Sequence, residues 1–146
     1  MSWKIPAGNT NAMNALQIDD QTMRARALID QAAALAPSLD ERAAATEAAG
    51  QMLGETIDDL RSAGFTRLCQ PRKYGGAELP MDAAAEVIAA LAQGCGSTAW
   101  VASVFTDHSI LTGMFSAQTA EDIWGANPLA LISAGYHPTS MVERTE

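Results

Sequence analysis

Of the two histidines in this sequence, His108 and His137, the first lies in a run where chemistry is most expected: from Thr98 to Phe115 only Asp107 carries a charge. A buried imidazole needs a hydrogen-bond partner or a chemical task, and it titrates near neutral pH. Helical spacing puts His108 on one face with Val101, Val104, Phe105, Leu111 and Phe115. Trp100 comes eight residues earlier, about 80° round a helix, so indole and imidazole could border one cavity. The structural alternative is a satisfied core histidine and an indole that fills space.

Other chemistries find little support. There is no G-x-S-x-G elbow, so hydrolysis through an activated serine is not expected. Cys69 and Cys95 are 26 residues apart, without C-x-x-C spacing, and no zinc or redox motif can be assembled from them; no metal site is expected. Both read as reduced thiols of a cytoplasmic protein. Gly94, Gly96 and Ala99 fit G-x-G-x-x-A. That dinucleotide fingerprint needs a strand in front of it, whereas Ala83–Gln93 has helical periodicity. A helix–turn–helix joint accounts for the same residues.

Arg61, Arg67, Arg72 and Lys73 form a basic island, and no Lys or Arg occurs between Tyr74 and Glu143. A phosphate-bearing ligand would have to meet that island, a helix N-terminus or a partner chain. Four solvated surface cations are the plainer account.

The elements that must position these residues are helical. The chain has 146 residues, 48% of them apolar and only 5% aromatic, with 9 basic against 17 acidic side chains and a net charge of -8. One domain is expected, and the acidic balance argues against binding nucleic acid phosphates. No apolar run approaches the ~20 residues of a membrane span, and the opening residues lack the apolar core of a secretory signal. Residues 1–19, with Pro6, Gly8 and several Asn, read as a disordered tail. Ala25, Leu28, Ile29, Ala32, Leu35 and Ala36 then make one apolar stripe. Pro37 is expected to end that helix, and Ser38 with Glu41 to cap the next. Glu47–Ala63 reads as a helix with Gly50 and Gly54 inside it and Gly64 as its stop. Tyr74-Gly75-Gly76 is a turn, and Pro80 opens a helix with a stripe of Met81, Ala84, Ala85, Ile88, Leu91 and Ala92. Ser97 is the expected cap of a central, buried helix, and Ser116 that of a short one reaching Trp124. Leu129–Ala134, apolar between turn signals, reads as a strand. A lone strand leaves both edges unpaired, so the sheet is expected to be completed by further polypeptide. The domain reading is therefore a helical domain over 20–127, with 128–146 as the start of a truncated middle β-domain.

Three signatures add a resemblance: L-x-x-x-G at Leu60–Gly64, P-x-x-Y-G-G at Pro71–Gly76, and G-C-G-S-T-A-W at Gly94–Trp100 with His108 downstream. Together they resemble the N-terminal helical domain of the acyl-CoA dehydrogenase superfamily, in its flavin-dependent monooxygenase branch. The resemblance implies an all-α N-terminal bundle that ends in the first strand of a β-domain, with the whole assembled as a homo-oligomer. It implies reduced flavin, FMN or FAD, in a site that this chain forms only in part. Trp100 and Ser133 would lie at the flavin, and His108 at a small aromatic substrate as the catalytic residue. A separate flavin reductase would supply the reduced flavin. An acyl-CoA dehydrogenase and a non-catalytic helical assembly module are the alternatives.

Overall fold

The computed structural model describes the backbone of residues 8–134 and the side chains of residues 20–134. His137 and the remainder of the expected β-domain start lie outside them. Among the described residues all regular structure is helical: α1 (Gly8–Ala49), α2 (Gly54–Ser62), α3 (Met81–Ala92), α4 (Gly96–Gly113) and α5 (Ala117–Trp124), with 3-10 turns at Phe65–Arg67 and Arg72–Tyr74.

The first helix departs from expectation at both ends and in the middle. Its backbone is helical from Gly8, where a tail was expected through residue 19. Between Asn9 and Ala36 there is neither Gly nor Pro, so nothing in that run stops propagation. The helix also passes through Pro37 instead of ending there, and Ser38 caps nothing. Pro37 lies on the exposed side, so the carbonyl it deprives of a partner can turn to water. The opposite side is anchored by Ala25, Ala32 and Leu39, spaced by seven residues and buried in the core. Gly50, expected inside a helix, ends this one with φ +61°, a conformation that costs little only without a side chain. The expected single helix over 47–63 is thus two, and Gly54 begins α2.

The core is one cluster. Ala25, Ala32 and Leu39 of α1 join Ala84, Val87 and Leu91 of α3, Leu60 of α2, Phe65 and Leu68 of the connector, and Ala99 and Ala102 of α4. On α3 the buried set is Ala84, Val87 and Leu91, while Met81, Ala85 and Ala92 of the expected stripe are exposed. Small residues let α1, α3 and α4 approach closely. Gly94, at the α3–α4 joint, shows how closely: a Cβ there would run into the backbone of Ala36 on α1. The G-x-G-x-x-A residues therefore span a helix–helix joint preceded by α3, as the helical periodicity required.

Gly64 and Gly75 take the left-handed conformation expected of a helix stop and a turn, at φ +82° and +79°. Ser116 caps α5, accepting from the Thr119 amide at 3.3 Å. Leu129–Ala134 forms no strand. The chain instead turns on Asn127, whose carbonyl accepts from Ala130 N at 3.0 Å and whose side-chain oxygen accepts from Leu129 N at 3.1 Å. No strand among the described residues is available to pair with the segment beyond.

Two substitutions test this packing in opposite directions, read as urea midpoints at unchanged slope. Gly94→Ala is expected to destabilise the chain by about 1–3 kcal/mol through overpacking. Pro37→Ala is expected to stabilise it by about 2 kcal/mol, the helix-interior penalty of proline less the freedom returned to the unfolded chain.

Candidate functional site

Helix α4 sets the geometry of every candidate residue. Its buried face is small and hydroxyl-bearing: Thr98, Ala99, Ala102, Thr106, Ser109 and Thr112, with His108 among them. The hydroxyls of Thr106, Ser109 and Thr112 donate to the carbonyls of Ala102, Phe105 and His108, at 3.0, 3.0 and 2.9 Å. These three hydroxyls are thus satisfied on their own helix and leave a slim surface for packing. The large apolar residues turn the other way. Trp100 is 71% and Phe115 69% exposed, and Leu111 and Met114 are exposed with them. The expected buried face of Val101, Val104, Phe105, His108, Leu111 and Phe115 is therefore corrected: of these only His108 is buried. Thr98, Ala102, Thr106, Ser109 and Thr112 recur at helical spacing, and that pattern of small residues was the available signal.

His108 is 4% exposed. Its Nδ1 lies 3.0 Å from the carbonyl oxygen of Ile132. A carbonyl can only accept, so Nδ1 carries a proton. The segment after α5 thereby reaches back to the middle of α4 and brings Ser133, which is exposed, next in chain to the residue that holds the imidazole. Trp100 lies about 12 Å earlier along the helix axis. It lines an open cavity of about 890 Å³ with Glu47, Gly50, Met52 and Cys95, and His108 is not among the lining residues. The structure therefore brings His108 and the Ser133 segment together, while the cavity that Trp100 lines does not include His108.

Cys95, not Ser97, occupies the N-cap position of α4. Burial pushes its thiol up, but hydrogen bonds from the Thr98 side chain and from the Thr98 and Ser97 amides outweigh it and leave the thiol below its ordinary value. Burial alone pushes Cys69 up to about 11. Among the described residues no three His, Cys, Asp or Glu side chains converge on a point that could hold a metal.

Three of the four cations of the basic island are used internally. Arg72 pairs with Asp20 at 3.0 Å. Arg67 donates to the Gly75 carbonyl at 3.1 Å. Lys73 meets Glu121 at 3.0 Å, and the Tyr74 hydroxyl donates to the same carboxylate at 2.9 Å. The Tyr74 ring packs 5.8 Å from that of Trp124, so this clasp ties the connector before α3 to α5. Neither Tyr74 nor Glu121 carries a spacing signal that sequence reasoning could have used to pair them.

Residues 20–121 match the family model described as acyl-CoA dehydrogenase, N-terminal domain. The chain belongs to this family. Among curated relatives of this acyl-CoA dehydrogenase N-terminal domain is a flavin-dependent monooxygenase, oxygenase subunit HsaA, from Rhodococcus jostii, 36% identical over 105 residues, which are 72% of this chain and 28% of the relative. Another is p-hydroxyphenylacetate 3-hydroxylase, oxygenase component, from Acinetobacter baumannii, 32% identical over 119 residues, 82% of this chain and 28% of that one. The crystal structure of the HsaA monooxygenase from M. tuberculosis superposes with a TM-score of 0.73 at 33% identity, over 78% of this chain and 31% of that one. The chain spans less than a third of the length of these relatives.

The Glu121 clasp carries a pH dependence of defined sign. The hydrogen bond from Lys73, then that from Tyr74, hold the Glu121 carboxyl below the usual carboxylate value. A carboxyl depressed by folding contributes stability above its unfolded value and loses that contribution as pH falls through the lower, folded one. Thermal unfolding across the acid range should show the wild type melting above Glu121→Gln near neutral pH, with the difference closing as the pH drops below the ordinary carboxylate value.

Proposed function

We propose that this chain is the N-terminal helical part of the oxygenase component of a two-component, flavin-dependent monooxygenase that hydroxylates a small aromatic substrate with O2. The observation that carries the reading is the 36% identity, over 105 residues, to a flavin-dependent monooxygenase oxygenase subunit. The rest of the active particle would come from polypeptide matching the remainder of those relatives. Its partners would be a reductase that supplies reduced flavin and further copies of itself. Two free cysteines, Cys69 and Cys95, suit the reducing cytoplasm, where we place it.

The residues fit a planar aromatic cofactor. Trp100 offers an exposed indole on the apolar outer side of α4, a surface on which a flat ring can stack. Ser133 is exposed and lies in a segment free of helix or strand, which leaves its hydroxyl and backbone available as polar contacts. Flavin, FMN or FAD, would supply the oxygen-activating chemistry, while the protein orients the substrate and keeps the site dry. Trp100 and Ser133 would hold it; Leu111, Met114 and Phe115 extend the apolar wall that excludes water.

His108 is the proposed catalytic residue. Held through Nδ1 by the Ile132 carbonyl, the imidazole would accept the proton of a phenol. As the proton moves, the imidazolium that forms keeps its Nδ1–H bonded to the Ile132 carbonyl. General-base help of this kind is worth about 10²–10⁴-fold. An acyl-CoA dehydrogenase is less well supported: no Lys or Arg from Tyr74 to Glu143 is present to meet the phosphates of a CoA thioester.

A chimera tests the reading. This chain replaces the matching segment of the A. baumannii p-hydroxyphenylacetate 3-hydroxylase oxygenase component and is assayed for hydroxylated product with reduced flavin and O2. Product formation is expected, with kcat lower by about 10²–10⁴-fold for His108→Asn, which keeps a donor toward Ile132 and removes the base. A folded chimera that binds flavin yet gives the same kcat with either residue would overturn the role of His108.

A further inference from the structure

The geometry points to the groove between α3 and α4 as a docking site for an amphipathic helix that carries a Lys or Arg in the middle of its apolar stripe. Met81, Ala85 and Ile88 of α3 and Ser103, Asp107 and Ile110 of α4 line a cavity of about 210 Å³ between the two helices. Each set of three falls at i, i+4 and i+7. Two ridges of helical spacing thus flank one furrow, the shape into which a third helix packs its own ridge. The core does not account for these α3 residues. It uses Ala84, Val87 and Leu91 and leaves Met81 63% exposed, with Ala85 exposed as well. The volume is below the ~300–1,000 Å³ of sites that enclose a small molecule, and it suits side chains laid in a row along a groove. The cavity at Trp100 shares none of these lining residues, so the two surfaces are distinct.

Asp107 decides what the helix must carry. It is exposed, and it is the only Asp, Glu, Lys or Arg between Thr98 and Phe115. Among the described residues no cation pairs with it. Covering the groove strips water from that carboxylate, and a buried charge without a partner opposes the contact. A cation in the incoming helix removes the penalty and fixes the register, as a single polar residue does in a helix seam. The neighbouring sequence does not hold that cation: no Lys or Arg lies between Tyr74 and Glu143. A second copy meeting this face with its own would set two Asp107 carboxylates in one apolar seam, a like-charge contact. The helix therefore comes from other polypeptide, and this chain spans less than a third of the length of its relatives. Its source in the rest of that length rests on the hydroxylase reading; the pattern it must carry does not.

The test uses two labelled synthetic helical peptides with one leucine stripe each, identical except for Arg or Glu at the centre of that stripe. Their fluorescence anisotropy is read against the 146-residue chain at about 0.15 M salt, where charges farther than ~8 Å are largely screened. The Arg peptide is expected to bind at least about tenfold more tightly than the Glu peptide, because the Glu peptide sets a like charge against Asp107. In Asp107→Asn, folded by circular dichroism, the preference should fall below about threefold. Ala85→Gln, which puts a polar side chain into the furrow, should weaken the Arg peptide at least about fivefold. A smaller preference in the wild type, binding of neither peptide, a preference that Asp107→Asn retains, or indifference to Ala85→Gln overturns the proposal. So does a dimer of the chain alone, seen by sedimentation, that Ala85→Gln dissociates, since the groove is then a contact between copies. Should the variants not fold, amide shifts in the wild type decide: the Arg peptide must move Met81, Ala85, Ile88 and Ile110, and shifts confined to other residues sink the idea. No measurement here involves flavin or turnover. The preference, found in a chain whose chimera hydroxylates nothing, would keep the groove and remove the hydroxylase; the reverse result would remove the groove alone.

Discussion

Close approach of α4 to its neighbours is the constraint from which the rest of the structure follows. The face that α4 gives to the core has no side chain larger than Thr apart from His108. The hydroxyls of Thr106, Ser109 and Thr112 bond back to carbonyls of their own helix, so these three ask for no partner across the interface. That slim surface meets α3 and the Phe65–Arg67 turn, and Gly94 carries the same economy of volume into the joint against Ala36. With the small residues committed inward, Trp100, Leu111 and Met114 have only the outside to occupy. The one wide side chain on the inner face is an imidazole, and its Nδ1 donates to the Ile132 carbonyl.

How much of this was legible depended on whether a feature was local. The stripe on α1, the stop at Gly64, the turn at Gly75 and the cap at Ser116 are set by residues within a few positions of one another, and the structure follows them. Pro37 misleads because its cost is local and the compensation is not: the burial of Ala32 and Leu39 carries the helix across it. Gly50 was assigned to a helix interior by apolar periodicity that runs past a real break. Hydrophobicity points the wrong face of α4 inward, His108 excepted. Where helices pack at short range, volume decides instead, and large apolar residues are left for another surface. The segment at 129–134 reads as a strand on composition, but strand formation needs a neighbour, and among the described residues there is none.

Electrostatics tell a similar story. The basic island from Arg61 to Lys73 reads in sequence as a cluster that could attract a phosphate. Folded, Arg72 reaches Asp20 at the start of the described side chains, and Lys73 reaches Glu121 on α5. These are partly exposed pairs, each worth little by itself. Their significance is geometric. They tie the connector between α2 and α3 to α1 and to α5, and they do so beside the Gln70–Tyr74–Pro128 contacts. The stretch that carries the resemblance motif at Pro71–Gly76 is thus a fastening point, which explains its glycines without any ligand: Gly75 supplies a left-handed turn, and Gly76 leaves room for the Gln70 backbone.

The outer side of α4 bears on what the molecule is for. Single exposed apolar residues are ordinary on any protein, but a row of them on one helix marks a surface that meets something else. Trp100, Leu111 and Met114 fall along one side of α4, and Phe115 follows directly after it. Their exposure is the direct counterpart of the small inner face: the same rotation of the helix that allows close packing creates the apolar wall. His108 sits at the boundary between the two, buried by the core yet held by a carbonyl from the segment that leaves it. The solved relative that superposes on this chain is a monooxygenase of which the chain covers 31%. The proposed hydroxylase reading draws on two features of this helix, the apolar wall that carries the indole and the one imidazole that the Ile132 carbonyl holds.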